Sequence, residues 1–414
     1  MFKEIVVNNG AEECKAAVLE DGVIVEFYIE RRMDRRLIGD VFKGRVKNVL
    51  PGMQAAFVDI GMEKNAFLYV EDAVFVRNGE NAGNLNHSVH NIGDILKQNQ
   101  ELLVQVDKEP LGTKGPRVTT HITMPGRYLV LMPTVNYIGV SRRIESEKER
   151  ERLKDLAALV KPPGMGVIVR TMAEGADVEE LRQDIAMVRE LWRETLRRAA
   201  SKPAPYLVYR DPDLVQRILR DAFTEDVDRL TVDSYKEYEK VLDVLDTIGP
   251  NMKTKVFLDE KEDIFAEYGV DLEIERALLE RVWLKSGGYL IIDQTEALTA
   301  IDVNTGKYVG TKNLEDTVLK TNLEAVTEIA RHLRLRNIGG IIILDFIDML
   351  NEDHRSAVLQ SLEEEIKKDK TKINLFGLTR LGLVEMTRKK TRFSLSEMLQ
   401  KPCPHCGGRG KINV

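Results

Sequence analysis

With 414 residues, 43% of them hydrophobic and 31% charged, the chain has an ordinary soluble composition and length for roughly two to four domains. Its longest apolar runs, such as IGGIIIL, are far too short to span a bilayer, and MFKEIVVNNG lacks the apolar core and cleavage site of a signal peptide, so a cytoplasmic protein is expected. Three cysteines exclude a disulfide scaffold; the net charge of −6 does not mark a nucleic-acid binder, although positive charge clusters at Arg31, Arg32, Arg35, Arg36, Lys43, Arg45 and Lys47 and again from Arg380 to Lys401.

The first segment, IVVNNG followed by CKAAVLEDGVIVEFYIER, alternates β-branched runs with Asn-Asn-Gly and Glu-Asp-Gly turns and predicts the hairpins of a small sheet, with Cys14 in its core. From Asp40 to about Asp107, short strands, turns at Leu50-Pro51-Gly52 and Ile60-Gly61, and the polar loop RNGENAGNLNHSVHNIG predict a small barrel of about five strands. Side chains alternate along a strand, so Phe57 shares a face with Ala55 and Asp59, and Phe67 with Asn65 and Tyr69. Each strand therefore puts a phenyl ring on its more polar face. Such rings are stacking platforms for unpaired bases, with Lys43, Arg45 and Lys47 placed to meet phosphates; packing against a neighbouring domain accounts for them equally well.

After the Gly/Pro-rich stretch EPLGTKGP (109–116) come strands near 127–140, a charged helix near 145–160 and the strand GVIVRT (166–171). Arg170 and Thr171 end that strand before a loop with Gly175. A guanidinium fork beside a hydroxyl can grip a terminal phosphate, although an arginine in that place is more usually a solvated rim residue. A long helix starts at Asp177, whose carboxylate caps it with Glu180 completing a capping box, and ends before Lys202-Pro203-Ala204-Pro205. Residues 206–280 read as strand, helix and strand pieces without evident chemistry.

From 281 the pattern is strand, strand, helix, strand, helix. The helix spans 315–337, with Arg331, Arg334 and Arg336 in its last turns and Gly339 as its stop. Two aspartates close apolar strands here: Asp302 in ALTAIDVNTG and Asp345 in IGGIIILDFIDM. Asp302 and Asn304 share one strand face. If the two strands lie side by side, Asp302, Asn304 and Asp345 converge at one sheet edge, where two anionic oxygens suit a hard divalent cation and an amide can hold a phosphate. That is a constellation for phosphodiester hydrolysis, although solvent at strand ends also accounts for each acid taken singly. CPHCGGRG (403–410) has the form of a zinc knuckle in which Cys403 and Cys406 supply two of four ligands, so a second copy of the chain is the simplest completion. A redox role lacks the βαβ context that such a motif needs.

Together these segments resemble the catalytic region of the ribonuclease E/G family over essentially all 414 residues. The resemblance rests on FKGRV (42–46) with PGMQAAFVDIG and NAFL, on GMGVIVRT, on SGGYLIIDQTEALTAIDVNTG (286–306), on LRLRNIGGIIILDFIDM (333–349), on LVEMTRKK (383–390) and on the CPxC knuckle. It implies a multidomain α/β (α+β) chain. In that scheme an RNase H-like domain (1–35 and 216–279) carries an inserted OB-fold RNA-binding barrel (36–118) and a 5′-sensor region (119–215). A DNase I-like catalytic domain (280–400) and a zinc link (401–414) follow.

The implied activity is that of a Mg2+-dependent endoribonuclease specific for single-stranded RNA and stimulated by a 5′-monophosphate, acting in rRNA maturation and mRNA turnover and leaving a 5′-phosphate and a 3′-hydroxyl. By the same resemblance Asp302 and Asp345 hold Mg2+ and Asn304 assists them. Phe57, Phe67 and Lys114 contact RNA, and Gly126, Val130, Arg170 and Thr171 form the 5′-phosphate pocket. Cys403 and Cys406 share a structural Zn2+ between two chains, giving a homodimer or a higher homo-oligomer. Where the best-known members support the pocket with an arginine, this chain has Lys372, which lacks the bidentate fork. The sequence stops just past the knuckle, which leads to the expectation of a G-type or a truncated member. The competing class is a non-catalytic RNA-binding factor dimerised through zinc; the joint presence of Asp302, Asn304 and Asp345 argues against it.

Overall fold

The computed structural model of the chain describes all residues except 33–35, 74–75, 78–79, 82–90, 111–113, 262, 307–313, 409 and 411–414. Arg35 and most of the polar loop at 77–93 thus lie outside the described residues. The chain divides into two compact units, one of Met1–Ile29, Glu225–Lys240 and Thr254–Val414, the other of Glu30–Thr224 and Val241–Lys253.

The first unit holds two sheets. One has five strands in the order Val256–Leu258, Arg229–Val232, Lys3–Asn9, Glu13–Glu20, Val23–Arg31. Lys3–Asn9 pairs antiparallel with Glu13–Glu20 and parallel with Arg229–Val232. The hairpin expected at Glu-Asp-Gly forms, with Asp21 at φ 49° and Gly22 at φ 79°, a pair of positive values that suits the right-handed twist of the flanking strands. Ile5, Val6 and Val7 are all fully buried, as a central strand covered on both faces requires.

The other sheet has six strands in the order Arg281–Trp283, Tyr289–Gln294, Leu298–Asn304, Gly340–Asp345, Val384–Arg388, Ile373–Leu378. Its one parallel pair, Leu298–Asn304 with Gly340–Asp345, is joined through the helix Leu314–Leu335, which supplies the long crossover that parallel pairing needs. That helix and Glu352–Ile366 cover one face, where Leu290, Ile301, Val303, Ile342 and Leu344 meet Ala325, Ile329, Leu333, Val358 and Leu362. Burying each such leucine or isoleucine contributes about 1.5–3 kcal/mol. The opposite face is left open.

The crossover helix ends two residues earlier than expected. Asn337, not Gly339, takes the left-handed stop at φ 48°, and its side-chain amide donates to the carbonyls of Arg392 and Phe393. Its arginines also do more than complement a helix dipole. Arg331 pairs with Glu273 and Glu328, and Arg334 with Glu20 and Glu26, tying the helix to the five-stranded sheet of the same unit.

The second unit begins with a closed barrel, in which Val41–Leu50, Ala55–Asp59, Ala66–Tyr69, Arg117–Thr119 and Glu101–Lys108 follow one another and the last pairs back onto the first. Its interior is Val46, Val58, Leu68, Val104, Val106 and Val118. Two strands were not anticipated in the barrel sheet. Arg117–Thr119 enters parallel to Ala66–Tyr69, and Tyr206–Tyr209 lies along the outer edge of Val41–Leu50. Which sheet a short strand joins is settled by partners distant in the chain, not by its own periodicity. Beyond the barrel, a four-stranded sheet (Met124–Pro125, Leu129–Met132, Gly166–Val169, Ile138–Val140) packs against the helices Glu147–Val160 and Val178–Ser201. The Asp177/Glu180 capping box is formed as expected.

Candidate functional site

Asp302 and Asp345 lie opposite each other in register on their parallel strands. Both are exposed on the open sheet face, whereas their neighbours Ile301, Val303 and Leu344 point into the core. Parallel strands end together, so both acids stand at the carboxyl edge of the sheet, where open α/β sheets bind ligands. Asn304, two residues on, donates its amide to Asp302 Oδ2 at 2.8 Å. Partial burial first, then repulsion from Asp302 and Asp348, holds the Asp345 carboxyl above its ordinary range.

Two residues at this edge escaped the sequence reading. Asp348 brings a third carboxylate near Asp345; its signal is the DFID spacing itself. Asn322 is fully buried in the crossover helix and grips the loop after Asp345 through both backbone polar groups of one residue. It donates to the Ile347 carbonyl at 2.9 Å and accepts from the Ile347 amide at 3.1 Å. An asparagine inside an amphipathic helix gives no hint of such a partner 25 residues away.

Among the described residues, no three or more His, Cys, Asp or Glu side chains form a metal-binding group. Two carboxylates nevertheless fit Mg2+, which sheds water reluctantly and is commonly held by one or two carboxylates with waters completing its octahedron. Two carboxylates in register on one sheet face concentrate negative charge that a bound cation would neutralise.

On the barrel, Phe57 and Phe67 are direct cross-strand partners, with ring centroids 5.5 Å apart and an interplanar angle of 77°. Tyr69 extends the row, 4.5 Å from Phe67, and the Arg117 guanidinium lies 4.7 Å from the Tyr69 ring. All three rings are at least partly exposed. Lys114 is exposed on a segment that passes so near the same strand that a Cβ on Gly115 would come within 2.1 Å of the Asn65 carbonyl. The nearby cations are less available than expected: Lys43 and Arg45 share Glu101 at 3.0 and 2.9 Å, and Lys47 pairs with Asp59 at 3.1 Å. Arg45 and Lys43 together pull the Glu101 carboxyl down to about 2.

Val130 lies on the strand Leu129–Met132, Gly126 in the turn just before it, and Arg170 and Thr171 just beyond the strand Gly166–Val169. Arg170 donates to the Gly126 carbonyl and to Asp221 Oδ1, each at 2.6 Å. Burial raises the Asp221 carboxyl, but Arg220 and Arg170 outweigh it and hold the group below its ordinary range. Thr171 Oγ1 lies 2.9 Å from Ser141 Oγ, and Val130 is half-buried opposite Ile168. Below them the buried Asp184 carboxylate accepts the backbone N–H groups of Arg127, Tyr128 and Leu129 at 2.8–2.9 Å. Gly126 must lack a side chain, because a Cβ there would sit 2.5 Å from both Asp184 oxygens. Lys372 is exposed in the first unit, just before the strand Ile373–Leu378.

In the C-terminal segment, the backbone amides of Cys406 and His405 hold the Cys403 thiol below its ordinary range, and Cys406 Sγ accepts from Gly410 N at 3.3 Å. Amides aimed at sulfur stabilise thiolates, the form that binds zinc. Cys14 lies apart on the Glu13–Glu20 strand.

A paired-acid sheet edge in one unit and an aromatic-faced barrel in the other are the parts needed by a protein that handles nucleic acid. The sequence profile of the Ribonuclease E/G family matches residues 123–391. Ribonuclease G of Escherichia coli (strain K12) is 48% identical over 419 residues, spanning 100% of this chain and 85% of that protein. Ribonuclease G of Haemophilus influenzae is 48% identical over 413 residues, 99% of this chain and 84% of its own length. Ribonuclease E of Nostoc sp. is 43% identical over 416 residues, 99% of this chain but 59% of that longer protein. The chain belongs to the ribonuclease E/G family. No helix among the described residues is long and apolar enough to cross a membrane.

Proposed function

We propose that the chain is a Mg2+-dependent endoribonuclease that cuts single-stranded RNA at the Asp302/Asp345 sheet edge. Family membership makes it an endoribonuclease, a hydrolase acting on RNA. The observation that carries the site assignment is the register of Asp302 with Asp345, with Asn304 hydrogen-bonded beside them. Asp302 and Asp345 would hold the cation, which when bound would supply Lewis acidity to the phosphate and make a bound water more acidic than bulk water. The Asn304 amide, exchanging its bond to Asp302 for one to a phosphate oxygen, orients the scissile phosphate. Asn322 keeps the Ile347–Asp348 loop in place below it.

The remaining assignments follow the family. The five-stranded sheet is RNase H-like, the barrel an OB fold and the six-stranded sheet with its two helices DNase I-like. Phe57, Phe67 and Lys114 contact unpaired RNA; Gly126, Val130, Arg170 and Thr171 receive a 5′-monophosphate. Cys403 and Cys406 share Zn2+ with a second chain in a homodimer or larger homo-oligomer. The substrates are precursor ribosomal and messenger RNAs, met in the cytoplasm.

The deciding experiment incubates the protein with a 5′-monophosphorylated single-stranded RNA in magnesium and again in EDTA. Internal cuts bearing 5′-phosphates, abolished by chelation, are expected; binding without cutting at any magnesium concentration would establish the non-catalytic alternative.

A further inference from the structure

The open face of the six-stranded sheet carries more than its acids. Cα partners across a sheet present side chains to the same face, and the register continues from the candidate site toward the sheet edge. Asp302 is opposite Ile291, which is opposite Arg281; Asn304 is opposite Tyr289, which is opposite Trp283. Two inter-strand spacings put Trp283 about 10 Å from Asn304. Trp283 is 60% exposed and meets Tyr289 edge to face at 5.4 Å and 63°. The Arg281 guanidinium lies 4.6 Å from the Tyr289 ring and 5.5 Å from the Trp283 ring. Lys43, Arg45 and Lys47 on the barrel are tied to carboxylates, whereas no carboxylate pairs with Arg281 among the described residues.

We propose that Arg281, Trp283 and Tyr289 form a base-stacking subsite for single-stranded RNA, within about two nucleotides of the phosphate held at Asn304. A nucleobase stacks on the exposed Trp283 ring, Tyr289 buttresses that ring, and Arg281 meets the flanking phosphate. This rests on the endoribonuclease reading and adds to it a contact that positions the strand from the catalytic sheet itself. Stacking accepts any base, so the subsite confers strand preference without sequence preference. RNA is favoured over a protein occupant because the same row leads directly to acids that must stay accessible to substrate.

The chain has two tryptophans, and the other, Trp192, is only 6% exposed, so contact quenching by RNA in solution acts on Trp283. A 5′-hydroxyl single-stranded RNA of about ten nucleotides, added to the full chain in EDTA so that nothing is cut, is expected to quench that fluorescence saturably. In Trp283→Phe the quenching should disappear, which assigns it to position 283 rather than to Trp192. Trp283→Ala and Tyr289→Ala should each raise KM for cleavage by about 5- to 100-fold, with kcat within about twofold of wild type.

Unchanged KM in Trp283→Ala would overturn the proposal, as would unquenched fluorescence at saturating RNA. So would altered sedimentation of Trp283→Ala with unchanged KM, which would give the face to a second copy of the chain. Saturable quenching without any cleavage would sink the endoribonuclease reading and leave the subsite standing.

Discussion

Asp302 and Asp345 are register partners on adjacent parallel strands although 43 residues separate them in the chain. The crossover helix Leu314–Leu335 delivers the second strand to the first, and the alternation of each strand sends both acids to the uncovered face. Partial burial first, and then the repulsion between carboxylates held side by side, keeps the Asp345 carboxyl above its ordinary range. Neutralising either acid removes one of the two carboxylates of the pair while leaving the barrel sequence unchanged.

Asp302→Asn and Asp345→Asn are therefore each expected to lower cleavage at least ~100-fold at saturating magnesium, with RNA affinity close to wild type. Asp348→Asn, which acts from outside the pair, should cost about 10-fold. Single-turnover cleavage beside filter binding of uncut RNA measures both quantities. Retention of a tenth or more of the wild-type rate in either of the first two variants would show that the metal is held elsewhere.

The pocket at Arg170 is already partly neutralised by Asp221, so phosphate binding there exchanges one anion for another. Charge-assisted hydrogen bonds from a guanidinium contribute about 1.5–3 kcal/mol, and Arg170→Ala should cut the advantage of 5′-monophosphate over 5′-hydroxyl RNA by about 10- to 100-fold. Circular RNA, having no 5′ end, should be cut as by wild type. Asp221→Asn leaves Arg170 and Arg220 without their carboxylate and should strengthen monophosphate preference. Equal losses on circular and monophosphorylated substrates would count against a sensor and for a folding defect.

Asp184 holds its loop from within. Replacing it by Asn leaves one acceptor oxygen for three N–H donors and turns an amide NH2 toward them, which should cost about 3 kcal/mol. A lowered urea midpoint for the second unit, followed by Trp192 fluorescence in a Trp283→Phe background, is the expected result. Gly126→Ala, whose Cβ would press on the same carboxylate, should destabilise it as well.

Two thiolates per chain predict a zinc content near half an equivalent, because a tetrahedral site then draws on two chains. Cys403→Ser combined with Cys406→Ser should release the metal and shift the sedimentation of the protein toward a smaller species. A monomer carrying a full equivalent of zinc per chain would refute the shared site.

Much of this was legible in the residues because it is local. The alternation that places Asp302 beside Asn304 and Phe67 beside Tyr69, the Asp177 capping box, and the Asp21-Gly22 turn all depend on neighbours within a few positions, where stereochemistry leaves few choices. The expected helix stop at Gly339 was wrong by a local margin. Asn337 also tolerates the left-handed conformation, and its side chain finds carbonyls at Arg392 and Phe393 that no local pattern reveals.

The sequence by itself determined which side chains share a strand face and which residue types suit metal, base or phosphate. Only the tertiary structure decided which of those faces meet. Pairing Leu298–Asn304 with Gly340–Asp345 puts two acids in register, pairing Ala55–Asp59 with Ala66–Tyr69 sets Phe57 against Phe67, and Glu101, Asp59 and Asp221 claim cations that looked free. The physical reason is range. Side-chain alternation is set by bonded geometry, whereas strand register and ion pairing are settled by burial and Coulomb energy summed over partners distant in the chain.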